Sequence, residues 1–161
     1  MTAKSAAKLV ADTHDREIVT TRLIDASPQR VWTAFADPDQ LAKWWGPNGF
    51  TNTFHQFDFK AGGMWRFTMH GPDGTDYPNR ITFRKIVPNA LIDFDHGDEK
   101  NPNQFHSTIT LDEQNGKTRL TLKAVFPTKA ARDYVVEKHH AVEGAKQTLD
   151  RLAQHVSILE E

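Results

Sequence analysis

Met64-Trp65-Arg66-Phe67-Thr68-Met69-His70-Gly71-Pro72-Asp73-Gly74-Thr75-Asp76-Tyr77-Pro78-Asn79-Arg80-Ile81-Thr82-Phe83 is the stretch that decides the fold of this chain. Two runs rich in aromatic and β-branched residues flank a tip of Gly, Pro and Asp, the composition of a strand–turn–strand hairpin. Trp65, Phe67 and Met69 share one side of the first strand, and Tyr77, Asn79, Ile81 and Phe83 share one side of the second. Alternation with period two belongs to an antiparallel sheet with one covered face and one wet face. The tip gathers His70, Asp76, Tyr77 and Asn79 and is rimmed by Trp65, Phe67 and Phe83. It reads either as the mouth of an apolar pocket or as a turn whose Asp and Asn side chains bond their own backbone.

The same punctuation extends in both directions. Turn clusters such as Ala61-Gly62-Gly63, Pro88-Asn89 and Gln114-Asn115-Gly116 divide the middle of the chain. They predict six strands, at about Phe50–Phe59, Met64–Met69, Asp76–Val87, Leu91–His96, Gln104–Asp112 and Thr118–Phe126. Upstream, Glu17 to Ile24 has the β-branched content of a further strand. Ser27-Pro28 then reads as an N-cap followed by proline at the first helical position. Val31, Trp32 and Phe35 make an apolar stripe on that helix, and Asp37-Pro38 starts a second one carrying Leu41, Trp44 and Trp45. Downstream, Lys129 to Leu159 has no proline and places Val135, Val142, Ala145, Leu149, Leu152, Ala153 and Val156 near helical period, which predicts one long helix over the sheet. Gly144 and Ala145 are small at a point where such a helix either approaches the sheet closely or leaves space beside it.

Composition sets bounds. A chain of 161 residues suits one domain with a sizeable core. The expected division is a flexible N-terminal tail over residues 1–15 and a single domain over 16–161. Lys and Arg number 20 against 21 Asp and Glu, a formal net charge of −1, which supplies no long-range field for nucleic acid or an anionic membrane. With no cysteine there is no disulfide, thiolate nucleophile or Cys-based zinc site. The absence also agrees with a reducing compartment, and the expected location is cytoplasmic. No apolar run reads as a secretory signal or a bilayer span.

Several segments together resemble a known family. They are Arg22-Leu23-Ile24-Asp25-Ala26-Ser27-Pro28-Gln29-Arg30-Val31-Trp32, then Asp37-Pro38 with Leu41-Ala42-Lys43-Trp44-Trp45-Gly46-Pro47, then Asp58-Phe59-Lys60-Ala61-Gly62-Gly63-Met64-Trp65. The hairpin at residues 69–79 and the closing Glu143-Gly144-Ala145-Lys146-Gln147-Thr148-Leu149-Asp150-Arg151-Leu152-Ala153 complete the set. In this order they resemble the START-like (SRPBCC) superfamily, and within it the small bacterial homologues of the heat-shock-protein ATPase activator. The resemblance implies an α+β helix-grip fold. A curved antiparallel sheet of about seven strands wraps on a long C-terminal helix, with two short helices after the first strand. It also implies an apolar cavity between sheet and helix, and no shared catalytic residues.

The candidate site follows from these readings. A small, largely apolar ligand is expected in that cavity, walled by Trp45, Phe50, Trp65, Phe67, Tyr77, Phe83 and Phe94, with His70, Tyr77, Asn79 and His96 as polar contacts. His70 has the opposite parity to Trp65 and Phe67, so it points inward only if a bulge intervenes. One alternative is an enzyme of cyclase, hydrolase or dehydratase type, using His70 or His96 as its acid–base group. Another is a protein-interaction or co-chaperone-like module, which calls for a broad exposed apolar patch. His96 and His106 are placed to face each other across a hairpin, yet with His55 or His70 they match no zinc spacing. No metal, cofactor or nucleophile motif is present, and no nucleic-acid or membrane partner is expected. The chain is read as a monomer or homodimer. Asp93 and Asp95 read as a solvated strand face.

Overall fold

The computed structural model describes residues 13–159. Seven strands form one antiparallel sheet: β1 (Glu17–Ile24), β2 (Thr51–Phe57), β3 (Met64–His70), β4 (Asp76–Val87), β5 (Leu91–Gly97), β6 (Phe105–Gln114) and β7 (Lys117–Val125). Their spatial order is β1-β7-β6-β5-β4-β3-β2, so every sequential pair from β2 to β7 is a hairpin and only β1 crosses to the far edge. Helices α1 (Pro28–Ala36) and α2 (Pro38–Trp44) fill the crossover from β1 to β2, and α3 (Lys129–His139) and α4 (Ala141–Leu159) follow the sheet. This is the helix-grip α+β architecture. Among the described residues no helix is long and apolar enough to cross a membrane.

Local chemistry accounts for the element ends. Ser27 accepts the Arg30 amide at 3.2 Å, and Pro28 opens α1. Asp37 caps α2 by accepting the Asp39 amide at 3.0 Å. The buried Trp44 indole donates to the Ala34 carbonyl at 3.0 Å and ties the two short helices together. In the quoted hairpin, Asp73 accepts the Thr75 amide and Gly74 supplies the positive φ that closes the turn.

Two sequence expectations change. The single terminal helix is two helices, because His140 adopts the left-handed conformation at φ 52° and its N–H bonds back to the Val135 carbonyl, which ends α3 with a C-cap turn. Of the expected N-terminal tail, residues 1–12 lie outside the described residues. His14–Arg16 makes one 3-10 turn, from which Arg16 donates to the Phe126 carbonyl at 2.6 Å.

Side-chain alternation sorts the sheet as expected, with Trp65, Phe67, Ile81, Phe83, Ile92, Phe94, Ile109, Leu111 and Leu120 all buried on the inner face. The core divides along that face. At the β2–β4 end, Trp45, Trp65, Phe67 and Phe54 pack edge-on or stacked, with the Trp65 and Phe67 rings 4.1 Å apart. At the centre, Leu149, Leu152 and Val156 of α4 are sealed from solvent, each contributing roughly 1.5–3 kcal/mol of burial free energy. They repeat at helical spacing, so one stripe of α4 carries the attachment to the sheet, α1 and α2. Leu152→Ala is expected to destabilise the protein by about 2–5 kcal/mol in urea unfolding. A loss under about 1 kcal/mol would show that α4 does not clamp the sheet.

Candidate functional site

The first half of α4 lies over a gap in the core. Ala141, Gly144, Ala145 and Thr148 lie on one helical face and roof a cavity of about 270 Å³. Its floor is built in rows across the sheet. Phe94, Ser107, Ala124 and Ile18 stand in register from β5 to β1. His96 is opposite Phe105, whose ring stacks on Phe126 at 4.9 Å, and Leu122 is opposite Thr20. Trp45, Gly46 and Pro47 of the loop after α2, together with Met69, close one side. Among the described residues no Asp, Glu, Lys or Arg lines the space. Small residues create it: Ser107 and Ala124 on the floor meet Gly144 and Ala145 above, so neither layer fills the gap.

A single cation positions the side wall. Arg151 Nη1 donates to the carbonyls of Gly46 at 2.8 Å, Pro47 at 2.9 Å and Trp45 at 3.3 Å, and Nη2 to those of Lys43 and Phe50, each at 3.1 Å. Burial lowers the Arg151 pKa, and among the described residues no carboxylate pairs with it. The charge is held by carbonyl dipoles instead. Gln147 extends the staple by accepting the Asn48 amide at 3.0 Å, and Asn52 donates to the Trp45 carbonyl at 2.9 Å from the sheet side. Sequence reading did not single out Arg151. Its only signal is a cation one residue before Leu152 on the apolar flank of a closing helix.

The expected site residues separate into three groups. Trp45, Phe94 and His96 line the cavity. Trp65, Phe67 and Phe83 share the inner face but sit in the packed aromatic end of the core, where Trp65 and Phe83 border only a void of about 10 Å³, roughly the space of one water. Phe50 and Tyr77 pair with each other at 5.9 Å outside the cavity lining, with Tyr77 exposed. Asn79 reaches the cavity only through His96. His70 is a correction: no bulge interrupts the β3–β4 register, so it faces outward, its Nδ1 donating to Asp76 at 2.7 Å and its Nε2 within 2.7 Å of the Thr53 hydroxyl. Ser107, Thr20 and Ala124 were missed as cavity residues. Their signal is inner-face parity combined with small size or a hydroxyl in an otherwise apolar line.

Among the described residues His96 is the one titratable group on the wall. Desolvation lowers its pKa to about 4, so at neutral pH the ring is uncharged. Its hydrogen-bond partner is the Asn79 amide, not a carboxylate, and that low basicity suits a hydrogen-bonding role better than proton abstraction near pH 7. His106 does not face it. One residue offset in register puts His106 on the outer surface opposite Asp95. There His106 Nε2 lies 2.5 Å from Asp93 and Nδ1 2.8 Å from Asp95, while Arg84 reaches Asp95 at 2.6 Å. Carboxylates only accept, so both ring nitrogens carry protons. Asp95 is 7% exposed, not part of a solvated strand face as expected. Burial raises its pKa, but the hydrogen bonds from His106 and Arg84 outweigh this and hold it low. For His106 burial acts downward, and the hydrogen bonds to Asp95 and Asp93 outweigh it and raise the pKa. Among the described residues no group of three or more His, Asp or Glu is placed to hold a metal. Exposed Val19 and Val142 flank a groove between β1 and α4, but the Arg22–Asp150 ion pair at 3.0 Å crosses that region.

A curved antiparallel sheet gripped by its C-terminal helix around an apolar cavity defines a START-like, helix-grip protein. The chain belongs to the family of activator of Hsp90 ATPase homolog 1-like proteins, whose profile matches residues 25–157. Similar solved structures include a protein of Arthrobacter aurescens, 28% identical with a TM-score of 0.82 over 91% of this chain and 89% of that one. A Mycobacterium smegmatis protein is 27% identical, TM-score 0.82, over 92% of this chain and 95% of that one. A Nitrosomonas europaea protein shares the fold at 21% identity, TM-score 0.82, over 93% and 99% of the two chains. No curated protein matches the chain.

Two predictions follow from the polar geometry. Arg151→Lys keeps the charge but cannot span five carbonyls. It is expected to cost about 2–4 kcal/mol in urea unfolding and to speed amide exchange over residues 45–50. Unchanged exchange would show that the loop is held by its own packing. His106 has a folded pKa raised above its unfolded value of 6.5, so its contribution to stability is complete below 6.5 and is lost as pH rises through the folded pKa. Unfolding free energy should therefore fall above pH 6.5 more steeply in the wild type than in His106→Gln. Parallel profiles would remove His106 from the account.

Proposed function

We propose that residues 16–161 act as one binding domain for a small, largely apolar molecule, held between the sheet and the first half of α4. The observation that carries this reading is the cavity itself. About 270 Å³ is many times the space a single water needs, and its wall is aromatic and aliphatic with a few polar groups. A void of that size in a core is costly to maintain without a purpose, since filling it would add burial free energy. Binding would be driven by removing apolar surface from water on both partners. The family and its fold, which hosts many activities, support a ligand-binding module and leave the ligand open. A cavity that no charged side chain lines among the described residues supports a neutral guest. A chain without cysteine supports a cytoplasmic setting.

Thermal-shift and native mass-spectrometry screens with aromatic, polyketide and fatty-acyl compounds test the reading. A true ligand at one hundred times its Kd adds about 2.7 kcal/mol of stability to the wild type. Ala145→Phe places a ring in the roof of the cavity, so it should retain the fold and lose the response. A wild type that responds to nothing, or a variant that responds equally, would end this interpretation.

A further inference from the structure

Three polar side chains on the cavity floor have chemistry that nothing in the fold uses. The first is His96. Its Nε2 lies 2.8 Å from Asn79 Oδ1, while Asn79 Nδ2 donates to the Tyr77 carbonyl at 2.9 Å. A carbonyl can only accept, which fixes the amide with its nitrogen toward Tyr77 and its oxygen toward His96. That oxygen can only accept as well, so the proton sits on Nε2 and Nδ1 holds a lone pair. Asn79 is thus a positioning residue that sets the tautomer. The other two are Ser107, 2% exposed, and Thr20, 8% exposed, neither with a side-chain partner among the described residues. The polar atoms that are sealed off without partners are Asn52 Oδ1, Trp65 Nε1 and Arg80 Nε. His96 Nδ1 and the Ser107 hydroxyl are not among them, so both retain accessible space, and the space beside them is the cavity.

The positions of these groups define a spacing. His96 is opposite Phe105, so Ser107 is its diagonal neighbour on the adjacent strand, about 7–8 Å away. Between them stand the rings of Phe94 and Phe105, with Phe126 stacked behind. An acceptor at one end, a donor at the other and aromatic faces between them fit a flat guest with the reverse pattern. Among the described residues no Lys or Arg lines the cavity, so a carboxylate or phosphate buried there would lose its hydration without compensation.

We propose that the cavity takes a neutral aromatic compound bearing a hydroxyl that donates to His96 Nδ1 and, across the ring, a carbonyl oxygen that accepts from the Ser107 hydroxyl. This rests on the binding reading given above and specifies its chemistry. A hydroxyaryl ketone is the simplest member of the class, and a fatty acid lies outside it. At neutral pH the uncharged His96 keeps its lone pair available, in agreement with the burial that lowers its pKa to about 4.

NMR titration of the wild type with 4-hydroxyacetophenone, acetophenone, 4-ethylphenol, 4-hydroxybenzoate and ethylbenzene tests it. The hydroxyketone should bind most tightly. Acetophenone, lacking the hydroxyl, and 4-ethylphenol, lacking the carbonyl, should each bind roughly three- to tenfold more weakly, the worth of one net hydrogen bond. The carboxylate should be weaker still. The imidazole 15N signals should report an Nε2-protonated ring in the free protein, and Nδ1 should shift with 4-ethylphenol but not with ethylbenzene. His96→Phe should erase the preference for the hydroxyl alone, and Ser107→Ala the preference for the ketone alone. Equal affinity for the hydroxyketone and ethylbenzene, or tightest binding by the carboxylate, would overturn the proposal while leaving the cavity as a binding site. No response to any of the five compounds, ethylbenzene included, would overturn both. The wild-type comparisons do not depend on either variant folding.

Discussion

One guanidinium holds five backbone carbonyls. Arg151 reaches from α4 to the last turn of α2 and the loop after it and bonds to the carbonyls of residues 43, 45, 46, 47 and 50. Loops of this kind expose unpaired backbone, and backbone groups near a core need partners. The staple meets that need and brings α4, the α2 loop and, through Asn52, the start of β2 to one point. With the Gln147–Asn48 bond it fixes the side wall of the cavity relative to its roof. A half-buried cation that among the described residues has no carboxylate partner is held here by carbonyl dipoles in place of a counterion.

The molecule balances two uses of the same inner face. Toward β2–β4, large rings pack against one another and against α1 and α2, and voids there shrink to the scale of a single water. Toward β5, β6, β7 and β1, Ser107, Ala124, Gly144 and Ala145 stand where larger side chains would complete the core. The rigid aromatic end and the Leu149–Leu152–Val156 stripe anchor α4, and one face of its first half roofs the cavity. The stability needed to keep that space open comes from the other parts of the same layer. The outer face is organised differently, by charge. His106, Asp93, Asp95 and Arg84 make a connected cluster across β4, β5 and β6, and the high and low shifts of its members reinforce one another.

Much of this was legible in the residues. Period-two runs, turn clusters, the Ser27-Pro28 start and the Leu149–Val156 stripe each report a local preference that the tertiary fold had no reason to override. The six strands and two short helices appear with ends shifted by a residue or two, as termini usually are. The site was less legible. Parity assigned Phe67, Phe83, Phe94 and His96 to one face, yet the same parity holds for a ring in a solid core and for a ring on a cavity wall. Ser107 reads as a mid-strand serine until the layer above it is known to be Gly144 and Ala145. Asp95 reads as a surface carboxylate until Arg84 and His106 close over it.

By itself, the sequence determined which segments are strands and helices and which side of each faces inward, because those properties are set by spacing along the chain. It also excluded thiol and disulfide chemistry by having no cysteine. The tertiary structure alone decided where the inner face is filled and where it is open, that His140 divides the terminal helix, and that His96 rather than His70 meets the cavity. Where the inner face is filled and where it is open depends on residues far apart in the chain, such as Arg151 against the carbonyls of residues 45–47, and no local pattern encodes how closely two layers approach.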